Sequence, residues 1–157
     1  MSCKAVGFDA FFDEMKEIAG DTKEICGRCI FEGGRVMADG LKAKIDSIPA
    51  WQNEPGHRAR GVTDVERAGL KEGLGIAKMR TNGDEFDISV GFDGYNGDVT
   101  PKYPGGHPNS MIARTVESGT SWFAKTPFIS QAGRANKGAA EAAMQQAFDE
   151  EIAKRTT

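Results

Sequence analysis

The stretch from Gly75 to Phe92 constrains the fold most. GIAKMR (75–80) and EFDISVGF (85–92) flank TNGD, with Asn82-Gly83 at its centre. Asn-Gly between two alternating runs specifies a tight hairpin, because both residues tolerate the positive φ that matches the twist of paired strands. Phe86, Ile88, Val90 and Phe92 alternate with Asp87, Ser89 and Gly91. Side chains alternate across a strand, so one face of this ribbon is expected to be buried and the other wet. Such a ribbon needs a cover, and the two ends of the chain supply helical patterns for it.

Phe8, Phe11, Phe12, Met15 and Ile18 share one helical face over 8–19, and Gly20-Asp21 ends it. Thr22 is a candidate N-cap for a second helix over about 22–47. That helix carries Ile25, Cys26, Cys29, Ile30, Val36, Met37, Leu41 and Ile45 as an apolar stripe. Gly33 and Gly34 interrupt it, at about 1 kcal/mol each relative to Ala, which implies a close neighbour or a kink. Near the other end, Ala139, Ala140, Ala143, Met144, Ala147, Phe148 and Ile152 predict a long helix over about 132–155.

Between these elements the pattern is loop-rich. Residues 50–61, AWQNEPGHRARG, and 93–110, DGYNGDVTPKYPGGHPNS, lack periodicity and are expected to be mobile surface loops. Thr63 with Glu66 matches a capping box and predicts a short helix or turn over 64–73. MIARTVESG (111–119) reads as a short helix or strand with Ile112 and Val116 inward. The expected architecture is α+β: one domain over 1–157, a small antiparallel sheet packed against two long helices, with mobile loops. A length of 157 residues suits a single core of that size.

Composition narrows the function. Twenty basic against 23 acidic residues give a net charge of −3, so no gross basicity points to nucleic acid. No apolar run approaches the roughly 20 residues that span a bilayer. The pattern at the start, MSCKAVGFDAFF, lacks the features of a Sec signal. Three cysteines cannot all pair within the chain, which fits synthesis in a reducing cytosol.

Candidate chemistry is sparse. Cys26-Gly27-Arg28-Cys29 has the spacing of a redox pair or of half a zinc site. Both cysteines, however, fall on the apolar stripe of a helix already under way. The other donors, Cys3, His57 and His107, stand at no metal-site spacing, so core cysteines are the expectation. His57 and His107 read as exposed loop residues. Ser110, Ser118 and Ser121 lie in no nucleophile elbow, and GGHPNS lacks the ending of a phosphate loop. Asp84, Glu85 and Asp87 are solvated charges around a turn. Arg58, Arg60 and Arg67 suit solubility or a protein contact better than a phosphate site. No catalytic, cofactor-binding or metal-ligating residue is assigned, and no enzymatic activity or cofactor is expected.

One aromatic stretch stands out instead. In VESGTSWFAKTPFI (116–129), Gly119 can take positive φ in a turn, Pro127 fixes φ ahead of the last helix, and Trp122-Phe123 lie between them. The pair suits either a buried joint or anchors for a subunit contact.

At this point the chain resembles a family. IARTVESGTSWFAKTPFISQA is similar to the signature of the head–tail joining proteins of long-tailed bacteriophages, in which a segment such as ARFVEFGTS…AKPFLRPA leads into the final helix. Their members are labelled neck, tail-completion or minor tail components. Val6-Gly7-Phe8-Asp9 resembles the family's GLDEL or GFDEL opening. EICGRCIFEGGRVMADGLKAKI resembles its A…ALKEGAKVVADAIKANI, AGLKEGLGIAKMR its TGDLRDSIGISKVR, and SVGFDGYNG its VGFDGYN. The segments occur in the family's order over nearly the whole chain; Gly61 to Leu70 departs from it, being more polar than the family's Pro-x-Thr-Gly-x-Leu.

The resemblance implies an α+β ring subunit of the virion between the portal-side connector and the tail tube. No catalysis or cofactor goes with it. The implied partners are further copies of the chain and neighbouring head-connector and tail-tube or tail-terminator proteins. DNA is only passing cargo, and no membrane is involved. The protein is expected to be made in the bacterial cytoplasm. Candidate subunit contacts are Trp51, Tyr95, Tyr103, Trp122 and Phe123, and the candidate folding core is Phe86, Ile88, Val90, Met144 and Phe148. Two alternatives stay open: a small prophage-derived adaptor with the same fold, and a redox or metal protein using Cys26 and Cys29.

Overall fold

A computed structural model describes residues 2–3, 22–50, 61–83 and 85–155. The elements, in chain order, are β1 (Ser2–Cys3), α1 (Thr22–Ile45), α2 (Asp64–Gly73), β2 (Leu74–Ile76), β3 (Arg80–Asn82), β4 (Glu85–Phe92), α3 (Asn109–Ser118) and α4 (Phe128–Arg155). This is an α+β fold: a small antiparallel sheet with two long helices packed on it. The expected helix over 8–19 and most of the 50–61 loop lie outside the described residues.

Strand β4 is the common partner of the sheet, pairing with β1, β2 and β3. The hairpin forms with a register one residue off the expected one. Asn82 pairs with Glu85, so Asn82 belongs to the ladder rather than to the turn. Gly83 has φ +62°. The run GIAKMR is also not one strand. It divides into the end of β2 and the start of β3, with residues 77–79 between them.

The described residues group into two compact units. The first takes residues up to Met37, then Ile76–Val90, then the chain from Asn136. Its core is apolar: Ile25, Cys26, Cys29, Ile30, Ile88, Val90, Ala140 and Ala147 are all buried. Phe86, Phe148 and Ile152 pack half-buried against Ile25, Cys26, Cys29 and Ala147. Met144 is half-buried, while Ala139 is exposed and lies off the apolar stripe. The two helical glycines answer the close-neighbour reading. A Cβ at Gly33 would run into Met144, and one at Gly34 into Ile88, so α1 passes unbroken and close to α4 and the sheet. Across the same unit Arg28 donates to Glu151, whose side chain is only 8% exposed, and Lys154 reaches the same carboxylate at 2.9 Å.

The second unit takes Ala38–Gly75 and Gly91–Ala135. Helices α2 and α3 pack together in it. Leu41, Ile45, Ile48, Val62, Leu70, Ile112, Val116 and Phe128 are buried there, and so are the polar Glu66, Asn96 and Asn109. The capping box forms as expected: the Thr63 hydroxyl accepts from Glu66 N, and the Glu66 carboxylate accepts from Thr63 N at 2.9 Å. Arg67 is not a surface cation awaiting a partner. Its guanidinium donates to the carbonyls of Ile45, Asp46 and Ile48, closing the C-terminal end of α1. Unsatisfied carbonyls at a helix end favour such a cation.

Candidate interaction surface

Two loops of the second unit hold exposed aromatic residues on tightly bonded frames. The first runs from Gly119 to Pro127, between α3 and α4. Gly119 closes α3, its N–H donating to Thr115 O, with φ +73° and ψ 158°. That region of backbone space is almost reserved for glycine. A Cβ there would also lie 2.7 Å from Lys125 Cβ. The loop folds back on itself: Thr120 N donates to Phe123 O, and Thr126 N to Val116 O at 2.8 Å. The Thr120 hydroxyl accepts from the amides of Trp122 and Phe123.

Helix α4 starts four residues earlier than its periodicity predicts. Pro127 O accepts the first helical bond, from Gln131 N. Glu117, twelve residues back in α3, then caps the helix: its carboxylate accepts from Ile129 N at 2.8 Å, from Ser130 N at 3.1 Å and from the Ser130 hydroxyl. A carboxylate at a helix N-terminus satisfies orphan amides and complements the dipole. Nothing in the local pattern announces this cap, because its donors and acceptor come from different helices.

This frame separates the two aromatics. Phe123 is buried within its own chain, which removes it from the exposed surface, whereas Trp122 is 70% exposed. The frame thus makes a buried joint of Phe123 and leaves the Trp122 indole turned outward. Beside the loop lies an open hollow of about 510 Å³ lined by Glu117, Ser118, Lys125, Pro127, Ser130, Gln131 and Arg134.

The second frame is the 93–108 loop. It is not structureless. Asn96 is its hub: its N–H donates to His107 O at 2.9 Å, and its side-chain oxygen accepts from the amides of Asp98 and His107. Gly106, at φ +91°, passes so close to Asn96 O that a Cβ has no room. Thr100 and Tyr103 exchange backbone bonds, and the Asn109 side chain donates to Asp93 O. His107 is half-buried rather than exposed, its ring edge-on to Tyr103 at 4.7 Å. Tyr95 (68%) and Val99 (66%) stand outward from this frame, while Tyr103 is half-buried. Trp51, His57, Arg58 and Arg60 lie outside the described residues.

The cysteine pair sits elsewhere, in the first unit. Cys26 and Cys29 are buried and not joined in a disulfide. Burial, with Cys26 and Glu151 nearby, pushes the Cys29 thiol up to about 11. That shift disfavours the thiolate, the form in which a cysteine acts as a nucleophile. Among the described residues no three His, Cys, Asp or Glu side chains gather as a metal site, and no helix is long and apolar enough to cross a membrane.

Comparison with family models, curated proteins and solved structures finds no match to this chain.

Proposed function

We propose that the chain is a structural protein of a phage or prophage virion, acting at the head–tail junction as a subunit of a ring of identical copies. It works by adhesion, with no bond made or broken. Two lines support this reading. The ordered resemblance of its segments to head–tail joining proteins gives the class, and the α+β architecture is the one that resemblance implies. The observation that carries it is Trp122, held 70% exposed on a frame whose adjacent Phe123 is buried. A large aromatic kept outside at a rigid site is characteristic of an interface anchor.

The purified protein is expected to form a discrete closed oligomer, detected by native mass spectrometry and sedimentation velocity. Peptides of the chain are expected in purified virions of its host's phage. A chain that stays monomeric at all concentrations and is absent from particles would sink the reading. An adaptor of the same fold, which need not close a ring, is distinguished by the same mass measurement.

A further inference from the structure

The second unit carries two exposed patches of opposite charge, each built around an apolar group. The first joins the start of α2 to the 93–108 loop. Thr63 Oγ1 bonds Asp98 at 3.2 Å, and Val65 lies against Gly97. Val65, Tyr95 and Val99 are exposed apolar side chains of these segments, which also carry the exposed Asp64 and the half-buried Asp98. The one cation of this loop, Lys102, sits over the Tyr103 ring at 5.5 Å from its centroid. The second patch is the hollow beside the Gly119–Pro127 loop. Lys125 and Arg134 are exposed there and make no ion pair among the described residues, while the carboxylate oxygens of Glu117 are turned to the start of α4.

We propose that these patches are the two halves of one head-to-tail contact: the Asp64–Val65–Tyr95–Val99 face of one copy docks on the Trp122–Lys125–Arg134 face of the next. This rests on the self-assembling reading above and names its surfaces. Charge complementarity selects a second copy as the occupant. The acidic face supplies carboxylates for Lys125 and Arg134, and its apolar side chains give the Trp122 indole something to cover, which a phosphate group does not. Two different patches meeting make a heterologous contact, the kind that generates rings. Both patches sit on frames closed by their own hydrogen bonds, so little ordering opposes docking.

The test uses charge swaps at exposed positions. One variant combines Asp64→Lys with Tyr95→Lys; the other combines Lys125→Glu with Arg134→Glu. Each alone brings like charges together and is expected to weaken self-association about a hundredfold or more in sedimentation velocity. An equal mixture of the two restores assembly, because the swapped faces again complement each other. Restoration in the mixture also shows that both variants are folded. A wild-type chain that never associates overturns the ring reading itself. Wild-type association that neither swap weakens, or that mixing does not restore, overturns this pairing alone. Unchanged association with lost binding of a DNA oligonucleotide in the Lys125/Arg134 variant overturns it in favour of a nucleic-acid phosphate.

Discussion

The two compact units solve the problem of a core in different ways. The first is filled mainly with apolar groups, including two thiols, and brings α1 close to α4 at Gly33 and to the sheet at Gly34; its one buried charge among the described residues, Glu151, lies beside Arg28 and Lys154. The second buries Glu66, Asn96 and Asn109 alongside its aliphatic residues. Polar atoms withdrawn from water are costly unless bonded, and each bond fixes a piece of backbone; here Asn96 Oδ1 and Asn109 Nδ2 are bonded, while Asn96 Nδ2, Asn109 Oδ1 and His107 Nδ1 find no partner among the described residues. Asn96 bonds three backbone groups of its loop, and Glu66 closes the turn before α2. An apolar core holds elements together; a polar one also dictates loop shape. The exposed Tyr95, Val99 and Trp122 all belong to the second unit.

The contrast is most easily broken at Gly106. Gly106→Ala forces a Cβ into Asn96 O at positive φ and is expected to cost about 3 kcal/mol or more, read by urea unfolding. Gly119→Val is next, at about 2–3 kcal/mol, since its backbone conformation excludes a side chain and Lys125 leaves no space. An unchanged melting temperature in either variant contradicts the rigid-frame account. Glu117→Ala removes the cap of α4 and is expected to cost about 1–2 kcal/mol.

In the first unit the sharpest probe is pH. The folded Cys29 thiol is raised to about 11 from an ordinary 9.0, so the native state holds its proton longer. Its contribution to stability is complete below about 9 and is lost as pH rises toward 11. The native thiols are expected to resist alkylating reagents at neutral pH and to react fully after unfolding. Prompt reaction of both in the native state would reopen the redox reading. The smallest effect on stability is expected from Trp122→Ala, within about 0.5 kcal/mol, while self-association weakens clearly. Equal losses in both would assign Trp122 to the fold rather than to a partner.

What the sequence disclosed follows the same division. The stripe Ile25, Cys26, Cys29, Ile30, the alternation through Ile88 and Val90 and the spacing of Ala140 and Ala147 are period signals, and they mark buried positions of the first unit and the presence of both long helices. The capping box at Thr63 and the positive φ of Gly119 were equally readable, since each depends on a local motif. The break between β2 and β3, the hairpin register and the early start of α4 were not. Those are settled by partners far along the chain, such as Glu117 for Ser130 and Ser89 for Ala77. The burial of Asn96 and the bonding of Arg67 are not legible in the sequence for the same reason: a polar residue in a turn-rich stretch is indistinguishable from a solvated one without its distant partners. Trp122 and Phe123 are neighbours with opposite fates, and composition could not divide them.

The clamp of Glu117 onto the start of α4 has a mechanical consequence. The short connection bearing Trp122 is fastened at both shoulders, so a pull on the indole cannot be absorbed by paying out slack chain. Tension falls first on the bonds that fold the loop onto itself and onto Val116, and on the Glu117 carboxylate, before it reaches either helix.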